Sequence, residues 1–416
     1  MEKKKAVIVG YDAISPLGGD MASQWQRART GESGIGPLTR FPLKDGFPVR
    51  IAGQMPDIDH EPYPFLSARH QAAWFSPVFK YGMLTVARAL ERSGIHIDAA
   101  LAPRVAVTYS SAVGGLDAVL HADRMLQTEN RLPHPYTNPN SCINMIGGKI
   151  AMQTGAQGPI TATITACATG LTSMLVGAML LAQNRADVVI CGAVDCALVE
   201  PIIAGFATMN GAYNPKPGQE DESPTRASRP FSLNRRGFII SEGAGAVILA
   251  TREFADAHGL AYTIELAGWS MTSDAHHFVM PYMETIRRCM SDAVKDAGLS
   301  PGDIDAVNAH ATSTRAGDKV EVEALRAVFG NRLPPVSANK SQIGHAMGAS
   351  SVIETILALR GMEEDLILPT INYEPDPEIL LDCVETGARG LSQQHVLKNA
   401  FGFGGCNACA VFRRID

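Results

Sequence analysis

Apolar positions along the chain fall into two alternating textures. Short β-branched or aliphatic runs occupy residues 5–9, 105–109, 160–165, 187–191, 245–250, 304–308 and 396–400. Between them lie longer stretches with apolar residues three and four apart, at 81–93, 168–183, 283–298 and 320–329. Strands alternating with helices predict an α/β protein with mostly parallel pairing and helices covering the sheet. Gly94 and Gly298 close two of the helical stretches, where a left-handed cap suits glycine. The first run meets Gly10, where a turn is expected. Residues 31–64 are rich in Gly and Pro with weak periodicity, and 214–230 are polar and Pro-rich; both read as loops, the second as an exposed excursion. A faint duplication runs through the pattern, because "TACATGLTSML" and "GHAMGASSVIETIL" are both strand–turn–helix segments of small residues. The connector between halves is expected near 251–260, giving halves at 1–255 and 256–416.

Composition narrows the class. A chain of 416 residues with 46% apolar and 19% charged positions is a large packed globule and no disordered tail. Lys plus Arg number 36 against 42 Asp plus Glu, a net charge of −6, which argues against a dedicated nucleic-acid binder. No window reaches the roughly 18 apolar residues of a membrane span, so no membrane insertion is expected. The basic opening carries an apolar run too short for an export signal. Eight cysteines are ordinary usage with no disulfide-like array. Reduced thiols and a cytoplasmic location are the expectation.

Candidate chemistry starts at Cys167. A Thr/Ile-rich strand runs into Ala166, Cys167, Ala168, Thr169 and Gly170, and a helix with Leu171, Leu175, Met179 and Leu180 on one face follows. A cysteine at a helix N-terminus is expected to lean toward thiolate, and nearby N–H groups can hold an oxyanion. Most free cysteines are merely small buried hydrophobes, and the other seven are read that way. His310 follows an apolar strand in a Thr/Ser turn, and His345 sits in a Gly-flanked turn five positions after Lys340. Ligands gather at the carboxyl ends of strands in such sheets, and neutral imidazoles can donate N–H bonds to a forming enolate. Thr312 and Thr314 offer hydroxyls to a polar substrate arm. His276 and His277 are read as incidental. Gly402, Gly404 and Gly405 around Phe401 and Phe403 predict unusual backbone near a ligand, with an aromatic that can gate it.

Taken together, "GYDAISPLG", "TACATG", "SRPFSLNRRGFIISEGAGAVIL", "VNAHATSTRAGDKVE", "NKSQIGHAMGAS", "LPTINYEPDP" and "NAFGFGGCNA" span nearly the whole chain. In that order the chain resembles the β-ketoacyl-acyl-carrier-protein synthases, most closely synthase II. The resemblance implies a thiolase-like, five-layered αβαβα fold of two similar halves. It implies Cys167 as acyl-accepting nucleophile, His310 and His345 as the decarboxylation pair, and Lys340 as the accompanying lysine. Asp318 and Glu354 match supporting acids, and Thr312 and Thr314 match contacts to the phosphopantetheine arm. Phe403 matches the gate, with its N–H joining that of Cys167 in an oxyanion hole. Val113 matches a position lining the acyl tunnel, and Phe206 and Phe401 are placed among the substrate-binding residues.

The implied activity is decarboxylative Claisen condensation of an acyl-enzyme thioester with a malonyl thioester. An acyl carrier protein would bring both substrates, and no metal or redox cofactor is implied. A homodimer is the expected assembly, with a heterodimer second. The alternatives are a ketosynthase subunit of a type II polyketide or aryl-polyene system, a non-catalytic partner of such a synthase, and a degradative thiolase. Four features depart from the family pattern: Ala311 stands where glycine is usual, "ISEG" replaces a Gly-Glu/Asp-Gly pattern, the Arg69 helix is less basic at His70, Gln71 and Ala72, and the 214–230 excursion carries Glu220, Asp221 and Glu222.

Overall fold

A computed structural model of the protein describes residues 4–58, 62–209, 211–215, 218, 223–330 and 332–415. Ten strands form one sheet: β1 (Ala6–Ile14), β2 (Val105–Ser110), β3 (Ile160–Thr161), β4 (Val188–Asp195), β5 (Gly243–Thr251), β6 (Ile264–Ser273), β7 (Ala306–Asn308), β8 (Val336–Ser337), β9 (His395–Gly402) and β10 (Cys406–Arg414). Their spatial order is β8-β7-β9-β10-β6-β1-β5-β4-β2-β3. Within each set of five the order is first, fifth, fourth, second, third, so the same plan is laid down twice and joined where β1 meets β6. The expected boundary between 255 and 256 falls inside the short helix Arg252–Ala257.

Pairing is mixed rather than mostly parallel. The outer strands β2, β3 and β4, and β7, β8 and β9, pair in parallel, whereas β1, β5, β6 and β10 pair antiparallel through the middle. The runs that became β6 and β10 were not anticipated, and they supply much of the antiparallel centre. Gly10 does not end β1: the strand bulges between Ile8 and Gly10 and continues to Ile14. A Cβ at Gly10 would collide with the Ala89 carbonyl, so glycine there admits a helix against the strand.

Sequence texture decides each helix's layer. Helix α1 (Pro77–Ser93) and α2 (Met145–Thr154) cover the first half-sheet, and α4 (Met283–Asp296) and α5 (Arg315–Phe329) lie outside the second. Between the half-sheets lie α3 (Thr169–Ala182) and α6 (Met347–Glu363). The outer α4 buries one stripe, with Ile286, Cys289, Met290 and Ala293 inward, as an amphipathic surface helix does. The central pair is mostly apolar or small and buried nearly throughout, with Glu354 of α6 a buried carboxylate among them. Their close crossing relies on Gly170, where a Cβ would stand 2.8 Å from Val352 Cβ. The result is the thiolase-like five-layered arrangement. Gly94 and Gly298 hold φ of 68° and 71° as caps. The described residues of the 31–64 stretch are mostly loop but include an antiparallel pair of short strands, Ile35–Pro37 and Ile51–Gly53. Glu220, Asp221 and Glu222 lie outside the described residues. Among the described residues, no helix is long and apolar enough to cross a membrane.

Candidate active site

The strand leading to Cys167 is shorter than its sequence suggests. β3 stops at Thr161, and the chain then bends away, with Ser110 Oγ donating to the Thr163 carbonyl at 2.5 Å. Ala166 takes a positive φ of 48°, and a single 3-10 turn, Ala166–Ala168, carries Cys167 into the start of α3. Thr169 pins this elbow, accepting from the Thr165 N–H at 3.0 Å and donating to the Ala166 carbonyl at 2.7 Å. The expected thiolate is not the resting state. Burial pushes the Cys167 thiol up to about 12, against the opposing pull of Lys340 and of the Phe403 and Cys167 N–H groups. Desolvation outweighs the helix end here because the elbow lies in the interior.

An imidazole stands beside the thiol. His345 Nε2 is 3.0 Å from Cys167 Sγ, and its Nδ1 is 3.0 Å from Ser350 Oγ, which accepts from the Ala346 N–H at 2.7 Å. The "ISEG" segment holds this turn: His345 N–H donates to the Ile239 carbonyl at 2.7 Å, and Ser241 N–H to the His345 carbonyl at 3.0 Å. The His310 ring meets His345 edge-on, with centroids 5.8 Å apart, and packs on Phe401 at 5.6 Å. Burial holds both imidazoles well below the usual histidine range, and Lys340 pushes the same way.

Behind the histidines lies a buried charge network. Lys340 Nζ donates to the His310 carbonyl at 2.6 Å and to Glu354 Oε1 at 2.5 Å. Lys398 Nζ takes the other oxygen, Glu354 Oε2, at 2.7 Å. Glu321 accepts the N–H groups of His310 and Ala311 at 2.9 and 2.8 Å and the Asn399 side-chain amide at 3.1 Å. It thereby fixes Ala311 at a φ of 23°, a region where glycine is more at ease. Glu321, Lys398, Asn399 and Ser350 escaped the sequence reading. Lysine inside the apolar run of β9 was the legible signal, since lysine is almost never fully buried unless paired. Asp318 stands apart, accepting the Phe231 N–H at 2.8 Å near Arg235, so it braces that segment rather than either imidazole.

The glycine turn closes the site. β9 and β10 form a hairpin whose tip, Gly402–Gly405, lies on the Cys167 elbow. Phe403 packs between Phe206 and Phe278, with centroids at 6.4 and 6.3 Å. Phe206 in turn meets Phe238, and Phe238 meets His345, both at 5.4 Å. A cavity of about 560 Å³ joins Cys167, His310, His345, Phe401, Phe403 and Phe206 with Thr312 and Thr314, whose hydroxyls are 3.0 Å apart. His277, expected to be incidental, lines it and accepts the N–H groups of Val279 and Met280 at 3.0 Å. Val113 does not line this cavity; it belongs to the same apolar cluster as Phe206, Phe238 and Met347, its N–H donating to Asp195 at 2.9 Å.

Residues 3–255 match the Beta-ketoacyl synthase N-terminal domain, and residues 263–374 match the C-terminal domain. The chain belongs to the beta-ketoacyl synthase family. It is an acyl-transferring condensing enzyme. A 3-oxoacyl-[acyl-carrier-protein] synthase 2 of Coxiella burnetii is 34% identical, with 100% of both chains covered. Two solved structures show the same architecture in ketosynthases. One is a type II polyketide ketosynthase in complex with its acyl-carrier protein and bound to a hexaketide, 25% identical with a TM-score of 0.89 and 100% of both chains covered. The other is the ishigamide ketosynthase/chain length factor, 27% identical with a TM-score of 0.90 and the same coverage.

Proposed function

We propose that this beta-ketoacyl synthase lengthens a fatty acyl chain by two carbons in the cytoplasm, using acyl and malonyl groups delivered by an acyl carrier protein. The observation that carries the reading is the convergence of one thiol and two uncharged imidazoles in a single cavity, with His345 Nε2 3.0 Å from Cys167 Sγ. In the first half-reaction the thiol proton passes to His345 as sulfur attacks the thioester carbonyl carbon. The Cys167 and Phe403 N–H groups hold the oxyanion, and the carrier thiolate leaves and takes that proton. Ser350 Oγ can donate to or accept from Nδ1, so His345 can carry its proton on either nitrogen.

In the second half-reaction malonyl carrier enters and loses its carboxylate as carbon dioxide. The electron pair collects on the thioester oxygen, which accepts N–H bonds from His310 and His345. The enolate carbon then attacks the acyl-Cys167 carbonyl and expels the thiolate, which takes up one proton from solvent by way of His345. With that solvent proton counted, no step changes an oxidation state or needs a Lewis acid, so the steps draw on no metal or redox cofactor. Thr312 and Thr314 position the phosphopantetheine arm, with Lys340 and Glu354 supporting the His310 turn.

A homodimer fits the edge strand β3, whose Ile160 and nearby Ile164 are each 47% exposed. A heterodimer is the second assembly, by analogy with the ishigamide ketosynthase/chain length factor. The likeness to a type II polyketide ketosynthase keeps that pathway as a second reading, and the higher identity to the Coxiella synthase 2 favours fatty-acid elongation. Intact-protein mass spectrometry after incubation with mixed acyl-carrier thioesters tests both. An added acyl mass on the wild type that disappears in Cys167→Ala is expected; condensation retained in Cys167→Ala would refute the reading.

A further inference from the structure

Lys398 has no assigned part in the chemistry, yet it is one of the largest fully buried side chains in the protein. It sits on β9 with apolar residues and Asn399 around it, three residues before Phe401. Its ammonium lies 2.7 Å from Glu354 Oε2 and 3.4 Å from the Ala309 carbonyl. Lys340 occupies the other Glu354 oxygen and the His310 carbonyl. One carboxylate therefore carries two cations, and each cation also reaches one of two consecutive carbonyls in the turn that presents His310. On the far side of that turn, Glu321 holds the His310 and Ala311 N–H groups, and Asn399, the neighbour of Lys398, holds Glu321.

The groups facing Lys398 are Lys340, Glu354 and Glu321, with His310 beyond the shared turn and the Cys409 thiol on β10, itself paired to Cys289 on α4. Two ammonium ions and two carboxylates sum to zero, so loss of Lys398 leaves one uncompensated negative charge in a dry site. We propose that Lys398 is a positioning residue for His310: as the second cation on Glu354, it fixes the 309–310 backbone and joins burial and Lys340 in keeping the His310 imidazole uncharged during decarboxylation. This rests on the role given to His310 above. The effect is one-sided. Lys340 acts on His310, His345 and Cys167, whereas Lys398 acts on His310 among these three.

The test compares Lys398→Gln, which keeps an amide donor and drops the charge, with Lys398→Arg, which keeps the charge. Condensation with malonyl-carrier and acylation of Cys167 are each followed from pH 5 to 8. In Lys398→Gln the acid limb of condensation moves up by about one pH unit, as expected of a unit charge at this range. The acylation profile stays in place, and Lys398→Arg returns the condensation limb to its wild-type position. Equal loss of condensation at every pH in Lys398→Gln, or failure of Lys398→Arg to restore the limb, reduces Lys398 to a structural prop and overturns the proposal. NMR titration of His310 in histidine-labelled wild type supplies a readout independent of activity and of whether the variant folds. A His310 imidazole that stays neutral at pH 5.5 in the wild type and titrates at a higher pH in Lys398→Gln supports the proposal; an ordinary midpoint near 6.5 in the wild type, or the same midpoint in both proteins, overturns it. If the wild type does not condense malonyl thioesters, the functional reading falls, and the comparison of His310 titration between wild type and Lys398→Gln still decides the charge coupling.

Discussion

Gly402→Ala probes whether the glycine hairpin and the Cys167 elbow form one oxyanion-binding unit. A methyl at this position would run into the Thr165 carbonyl oxygen and stand only 3.2 Å from both Cys167 N and Ala166 Cβ. Two of the three obstacles are backbone atoms, so no side chain can swing aside. Ordinary contacts to carbon need about 3.3–4.0 Å, so the hairpin and the elbow must separate by roughly 1 Å. The stability cost of such overpacking is about 1–3 kcal/mol. The catalytic cost is larger, because the Phe403 N–H is displaced from the oxyanion it should meet. Loss of one such donor costs about 10²–10³ in rate. Rapid-quench mass spectrometry of Cys167 acylation by an acyl-carrier thioester measures it directly, with a thermal melt as control. A folded Gly402→Ala protein that acylates within threefold of the wild type would refute the placement of the Phe403 N–H in the oxyanion hole.

Other expectations follow from the same geometry. Glu321→Gln turns an amide donor toward one of the His310 or Ala311 N–H groups; a stability loss of about 3 kcal/mol is expected, with condensation falling more than acylation, as a denaturant melt and the two half-reaction assays would show. Because burial and Lys340 keep His345 uncharged, acylation should change little between pH 7 and pH 6; an ordinary histidine acting as base would give a drop of about threefold. Burial raises the Asp318 carboxyl to about 7, so the folded state binds the extra proton between about pH 4 and 7 and loses this stability as pH rises through that window. Asp318→Asn removes that slope, and its melting temperature should fall less than the wild type's between pH 5 and 8.

Alternation of strand and helix, the two small-residue turns and the motif order were enough to state the α/β class, the two-half plan and the chemistry centred on Cys167, His310 and His345. These are local properties: periodicity follows from which face of an element is buried, and Gly-rich turns follow from backbone freedom. Tertiary structure decided what depends on neighbours far along the chain. The Cys167 thiol lies at a helix start, yet its protonation is governed by the buried interior around it. The antiparallel centre of the sheet arises because β6 inserts beside β1 and β10 pairs between β6 and β9, a placement that strand sequences alone do not encode. Glu321 and Lys398 gained meaning only when α5, α6 and β9 brought them behind one turn, since a charge is inert or decisive according to the charges and carbonyls within a few ångströms.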